Sequence, residues 1–166
     1  MRRRRAAQRI ATDRYDTEHV LLVTSSGGHL AQLIALRPWW EARRRTWVSF
    51  DTPDVSSRLV GEDVRYAHHP TTRNVPNLFR NGVLACQVLL SERPDLIVST
   101  GAGVAIPFFV LGRLLGLPTV YIEVVDRVNS RTITGRFCYR LANMFMVQWP
   151  EQQQMYPRAL VVGVLS

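Results

Sequence analysis

The stretch VLLVTSSGGHLAQLIAL, Val20–Leu36, decides how the rest of the chain is read. His19–Ser25 is an unbroken apolar run with β-branched residues, the pattern of a strand buried on both faces. A Ser-Ser-Gly-Gly turn follows. Leu30, Leu33, Ile34 and Leu36 then recur at helical spacing, and Pro38 marks the expected end of that helix. A buried strand that feeds a helix through a glycine turn is the opening unit of a parallel α/β sheet.

The same alternation continues outward. Thr46–Phe50 and Val64–His68 read as strands, and HHPTTRNVPN, with two prolines, as a loop. Leu78–Glu92 is an amphipathic helix closed by Pro94. Asp95–Thr100 is the next strand, followed by a second glycine turn, GAG, and a helix to about Leu115. Gly116–Glu123 is a strand, ITGRFCYRLA a short helix, Met144–Trp149 a strand, PEQQQMYP one helical turn, and ALVVGVLS a last strand. The expected fold is α/β, a Rossmann-like parallel sheet with helices on both faces. The expected layout is a basic arm over residues 1–18 and one domain over 19–166.

The 166 residues suit one domain with a real core, and 46% hydrophobic content excludes a disordered chain. Two distant cysteines, Cys86 and Cys138, suggest neither a disulfide framework nor a zinc site. All 21 basic residues are arginine, and the formal charge is +8. Residues 1–14 hold six arginines and one aspartate, so the remaining 15 arginines against 12 acids leave residues 15–166 at only +3. An arginine arm of this kind is a solvated segment with affinity for anionic headgroups. It does not run into an apolar segment, so no signal peptide is expected. The longest uncharged run, between Asp95 and Arg113, has 17 residues with three glycines and a proline, which is short of a membrane span.

Ligands of open α/β sheets sit beyond the carboxyl ends of the strands. Two glycine turns fall there, at Ser26, Gly27, Gly28 and at Thr100, Gly101, Gly103. Glycine admits close approach of a ligand, and the helix N-terminus that follows offers free N–H groups, so phosphate is the expected guest. His29 stands at the first helix start, where a second positive charge is disfavoured and a neutral ring can accept a proton. Glu123 ends its strand on the same edge, with Arg127 in the next loop suited to a phosphate. A dinucleotide remains an alternative: Asp51 falls where a ribose-binding acid would, although neither turn completes GxGxxG. His68 and His69 have no acids at metal-ligand spacing, and no metal site is expected.

The order SSGGHL, STGAGVAIP, LGLPTVYIEVVDRV and FMVQWPEQQQMYP…VVG resembles the acceptor-side subunit of split UDP-N-acetylglucosamine transferases. These comprise the eukaryotic asparagine-linked glycosylation subunit and bacterial capsule and exopolysaccharide relatives. The order is also similar to the N-terminal half of the peptidoglycan transferase. The resemblance covers about Val20 to Val164. It implies one half of a GT-B fold that binds the acceptor, with the UDP-sugar donor held mainly by a partner subunit in a heterodimer and no cofactor besides. It implies inverting transfer of a hexose or N-acetylhexosamine to a polyprenyl-diphosphate-linked sugar in polysaccharide or oligosaccharide biosynthesis. His29 is the first choice of base and Glu123 the second. Ser26, Gly27, Gly28, Thr100, Gly101, Gly103 and Arg127 would hold the acceptor diphosphate. The family's Glu-x-x-x-Arg pattern falls on Glu123 and Arg127, but Val124 and Asp126 depart from it. The eukaryotic relatives carry a hydrophobic anchor where this chain has arginines, so peripheral attachment to an anionic membrane at its cytoplasmic face is expected. The C-terminal ALVVGVLS and the helix around Phe108–Leu115 are the candidate partner contacts. Two other classes stay open: a stand-alone nucleotide- or NAD(P)-binding protein, and, ranked last, a nucleic-acid binder acting through the arm.

Overall fold

A computed structural model describes residues 18–127 and 130–165. Seven strands form one sheet in the order β3-β2-β1-β4-β5-β6-β7, and every neighbouring pair is parallel. They are β1 His19–Val23, β2 Arg44–Phe50, β3 Val64–Ala67, β4 Leu96–Ser99, β5 Thr119–Ile122, β6 Met144–Val147 and β7 Leu160–Val161. The helices are α1 Gly28–Ala35, α2 Arg37–Trp40, α3 Pro53–Arg58, α4 Val75–Glu92, α5 Ala105–Leu114, α6 Ile133–Leu141 and α7 Pro150–Met155.

The two faces of the sheet are covered by different helices, as the alternation of side chains requires. Val20, Leu22, Trp47 and Val98 pack with Leu30, Leu33, Trp40, Val55 and Leu59 from α1 to α3. Leu21, Val23, Ile97 and Tyr121 pack on the opposite face with Val88, Leu89, Phe108, Phe109 and Cys138 from α4 to α6. Strands buried on both faces explain why β1, β4 and β5 read as continuous apolar runs.

The α/β class expected from the sequence stands. Its details shift in four places. Helix α1 stops at Ala35, and a separate four-residue helix begins at Arg37, because Pro38 is tolerated in a first turn. The same allowance creates α3, with Pro53 at its start, in a segment with no periodic signal. Helix α4 begins at Val75 and not Leu78: Asn74 caps it by accepting from Asn77 N–H at 3.0 Å, with Pro76 in the first turn. The final strand shrinks to Leu160–Val161, after which Gly163 has φ +83. Phe108 and Phe109 are fully buried, so the exposed apolar residues of Phe108–Leu115 are Val110, Leu114 and Leu115. Cys86 and Cys138 are both free thiols. No described helix is long and apolar enough to cross a membrane.

Buried Asn81 of α4 extends the sheet edge with a side chain. Its Oδ1 accepts from His68 N–H at 2.8 Å and its Nδ2 donates to His68 carbonyl at 2.9 Å. This fixes where the HHPTTR loop leaves β3. Asn81→Ala leaves both groups unpaired, so a loss of about 1–3 kcal/mol is expected in urea unfolding. Faster amide exchange confined to the 68–74 loop would accompany it, and unchanged exchange there would refute this account.

Candidate functional site

The strand order reverses direction between β1 and β4, and the two glycine turns leave the carboxyl ends of those two strands. That crevice is where doubly wound sheets place ligands. His29, the second residue of α1, joins the turns. Its Nδ1 donates to the Thr100 carbonyl at 2.8 Å, and Thr100 Oγ1 donates to the His29 carbonyl at 2.7 Å. A carbonyl can only accept, so Nδ1 carries a proton, and in the neutral ring the lone pair is on Nε2. A half-exposed imidazole with a fixed tautomer and a free Nε2 can take a proton from a hydroxyl.

The expected phosphate-binding residues divide into two groups. Thr100 and Gly101 are buried and build the turn. The Thr100 hydroxyl is committed to His29 and also lies 3.1 Å from Thr24 Oγ1. Gly101 N–H donates to Ser99 Oγ at 3.0 Å. Gly101 has φ +117, and a Cβ there would lie 2.8 Å from the Tyr121 hydroxyl and 3.0 Å from His29 Cε1, so only glycine lets the imidazole sit so close. Ser26, Gly27, Gly28 and Gly103 reach the surface. The first backbone bond of α1 runs from Ala31 N–H to the Gly27 carbonyl, so the amides of Gly28, His29 and Leu30 lie ahead of it.

Two residues that the sequence reading left aside belong to this crevice. Asp54 of α3 accepts from Gly27 N–H at 2.8 Å, so that amide is already occupied by a carboxylate. The Gly27 amide is therefore taken, which leaves the amides of Gly28 and its successors for an anion at the first turn. Thr71, in the HHPTTR loop, packs on the second turn: a Cβ on Gly103 would come within 2.9 Å of Thr71 Cβ. The HHPTTR loop thus packs against the second turn through Thr71. Asp51 is exposed at the end of β2.

Glu123 is at 0% exposure, which changes its role. Its Oε2 accepts from the Tyr156 hydroxyl at 2.9 Å, and its Oε1 accepts from Val124 N–H at 3.3 Å. It lies behind the crevice, beside the start of α6, where a Cβ on Gly135 would strike Oε2. Burial pushes its carboxyl above the ordinary range, against the bonds from Tyr156 and Val124 and the pull of Arg127. Burial, with Glu123 alongside, likewise raises the Tyr156 phenol. A carboxyl so enclosed does not reach an acceptor hydroxyl; it anchors the loop that follows.

That loop is held by side chains in place of secondary structure. Gln148 Nε2 donates to the Glu123 carbonyl at 2.9 Å, and Gln152 Nε2 donates to Val124 carbonyl at 2.8 Å and Arg127 carbonyl at 3.3 Å. Trp149 Nε1 donates to the Val125 carbonyl at 3.0 Å. Arg127 itself is exposed, and no salt bridge joins it to Glu123 among the described residues. Gln148 also donates to Gln32 of α1 and accepts from Leu165 N–H at 2.9 Å. The motif QWPEQQ carried this information only as polar residues in an apolar context. No group of three or more potential metal ligands occurs among the described residues. The arginine arm lies outside them.

This geometry is one Rossmann-like half of the GT-B glycosyltransferase architecture. The solved structure of Acinetobacter baumannii MurG superposes with a TM-score of 0.71 at 19% identity, over 90% of this chain and 46% of that one. The UDP-N-acetylglucosamine 2-epimerase of Rickettsia bellii matches with a TM-score of 0.70 at 10% identity, over 89% and 45%. The chain spans about half the length of these structures. In sequence, the model of the family described as "Oligosaccharide biosynthesis protein Alg14 like" matches residues 62–165. The Homo sapiens UDP-N-acetylglucosamine transferase subunit ALG14 is 25% identical over 87% of this chain and 81% of that protein. The chain belongs to the Alg14 family.

The buried acid makes a signed pH statement. Its folded pKa is raised, so the stability it permits is full at pH below the unfolded carboxylate value and is lost as pH rises through the folded one. Glu123→Gln removes that loss. Relative to wild type, the variant's urea midpoint should climb as pH goes from about 4 to 8. Parallel curves for the two proteins would sink this assignment.

Proposed function

We propose that this chain is the acceptor-binding subunit of a two-chain, inverting UDP-sugar glycosyltransferase. It adds a hexose or N-acetylhexosamine to a lipid-diphosphate-linked sugar at the cytoplasmic face of a membrane, where it is peripherally attached. A separate subunit supplies most of the donor site. Family membership and the relatives' designation as transferase subunits support this reading. The observation that carries it is the His29 clasp, which leaves Nε2 free at the meeting point of two glycine turns.

In this reading the amides of Gly28 and its successors, Ser26, Gly103 and the Arg127 guanidinium receive the acceptor diphosphate. The acceptor hydroxyl oxygen bonds to the anomeric carbon while the bond from that carbon to the UDP oxygen breaks. The hydroxyl proton passes to His29 Nε2, and the electron pair leaves with UDP. Attack from the side opposite UDP inverts the anomeric centre. Glu123 is a positioning residue for the Arg127 loop, not the base. The exposed edge at Leu160, Val161, Val162 and Val164 is the surface offered to the donor subunit.

The test is transfer of label from UDP-GlcNAc, UDP-Glc and UDP-Gal to extractable lipid, with a donor-binding subunit co-expressed. His29→Ala should lower transfer at least about 100-fold while the protein stays folded, with about 1–3 kcal/mol lost from the unpaired Thr100 carbonyl. Gly101→Ala should lower it too, because its Cβ displaces the imidazole. Transfer within about tenfold of wild type in His29→Ala would remove the base assignment. If no label reaches lipid and the chain alone binds NAD(P) or a nucleotide tightly, the reading fails in favour of a cofactor-binding protein.

A further inference from the structure

Two side chains tie helix α1 to the carboxyl edge of the sheet. His29 binds the turn after β4. Gln32, three residues on and so on a neighbouring position of the helix surface, accepts from Gln148 Nε2 at the carboxyl end of β6. Gln148 is 1% exposed and commits both ends of its amide. Nε2 donates to Gln32 and to the Glu123 carbonyl at 2.9 Å, and Oε1 accepts from Leu165 N–H at 2.9 Å. A carbonyl only accepts and a backbone N–H only donates, so these two partners fix which way the amide points.

The Leu165 partner belongs to a segment with little else to hold it. After β7, residues 162–165 have no regular structure. Val162 N–H donates to the Val147 carbonyl at 2.9 Å, and Gly163 then turns the chain with φ +83. Val162 and Val164 are exposed, whereas Leu165 packs against the cluster that holds Leu30 and Leu33 of α1. The tail thus meets the α1 side of the sheet through one apolar side chain and through Gln148. A segment held so sparsely belongs to the low-stability end of a fold and opens while the sheet stays intact. Seated and unseated tails are two states, and only the seated one completes the bonds of Gln148.

We propose that Gln148 is a positioning residue that links the seating of the 162–165 tail to the first turn of α1, and through that turn to His29. An unseated tail leaves Oε1 without its donor and frees the amide to turn. Gln32 then loses its partner, and α1 keeps one of its two side-chain ties to the sheet edge. The imidazole shares in the motion that this permits. Whatever covers the exposed edge at Val162 and Val164 favours the seated tail, so it also steadies His29. Linkage makes the effect reciprocal: a ligand that fixes the first turn of α1 strengthens the contact at the tail. In the acceptor-subunit reading, on which this last step rests, the cover is the donor subunit, and the chain without it holds its base loosely. The link through Gln148 does not itself rest on that reading.

The experiment is amide exchange in the full chain, read at Ala31, whose N–H makes the first backbone bond of α1 to the Gly27 carbonyl at 3.0 Å. Gln148 is left intact, since its removal would strip partners from several groups at once. Gln32→Leu removes the acceptor at a half-buried position, and Leu165→Pro removes the tail's N–H. Each should speed exchange at Ala31 about three- to tenfold, the worth of one hydrogen bond, with β1 and β4 unchanged. Gln32→Glu keeps an acceptor for Nε2 and should restore wild-type exchange. Imidazole nitrogen shifts should report the Nδ1–H tautomer in wild type and Gln32→Glu, and a mixture in Gln32→Leu and Leu165→Pro. Unchanged exchange in Leu165→Pro would overturn the link, as would a Gln32→Glu that exchanges as fast as Gln32→Leu. Leu165 lies outside every strand and helix, so its variant decides the matter even where Gln32→Leu fails to fold. With a donor-binding subunit co-expressed, Ala31 exchange should slow in wild type and not in Gln32→Leu; equal slowing in both would rule out the route through Gln148. In that complex kcat should fall about three- to tenfold in Gln32→Leu, with KM for the UDP-sugar within about twofold of wild type. Exchange differences without transfer by any chain remove the acceptor-subunit reading and keep the link; transfer without exchange differences does the reverse.

Discussion

The arrangement of the crevice depends on one reciprocal clasp, His29 Nδ1 to the Thr100 carbonyl and Thr100 Oγ1 to the His29 carbonyl. Each bond alone is worth about 1 kcal/mol net, and leaving either buried group unpaired costs more. Geometry matters more than the sum. The clasp ties the turn after β1 to the turn after β4, two segments 71 residues apart in sequence. It orients a ring that would otherwise rotate freely and selects which nitrogen keeps its lone pair. Gly101 follows from it, because a side chain at that position would occupy the imidazole's space.

A second constraint acts on the loop after β5. Polar backbone that lacks secondary structure must find partners elsewhere when it is buried. Here Gln148, at 1% exposure, and Gln152, at 0%, supply them from the β6–α7 corner. Gln148 also reaches α1 and the C-terminal tail, so one amide side chain spans the glycine-turn helix, the Arg127 loop and the exposed C-terminal edge. Glu123 is enclosed by the same corner. Its carboxyl sits near the start of α6 and takes the Tyr156 proton donor, which places it among the residues that shape the loop.

The sheet was legible because strands buried on both faces leave unbroken apolar runs, and both glycine turns fall where those runs end. The small helices α2 and α3 were not, since four and six residues carry too little periodicity and their prolines read as breaks. In the crevice, His29 and the glycines could be named from spacing, but direction could not. Spacing places Glu123 at a strand's carboxyl end; only the packing of Tyr156 and α6 shows that its side chain turns inward. Asp54 and Thr71 were invisible for a related reason. Each contacts a glycine turn from a distant segment, through a contact that no local pattern encodes.

Charge illustrates the same limit from the other side. Summed over the sequence, residues 1–14 carry +5 of the +8 and residues 15–166 only +3. The fold redistributes that balance. Glu62 pairs with Arg45, Glu92 with Arg44 and Arg65, Asp54 with Arg58, and Glu41 with Arg37, all on or near α2, α3 and the β2–β3 edge. Acids consumed there cannot neutralise Arg80 or Arg136, which stand beside exposed phenylalanines at the far helical layer. Attraction between charges falls off within about 8–10 Å at physiological salt, so a partner meets the local field and not the net charge. A segment that sums to only +3 over residues 15–166 can therefore carry one strongly basic face.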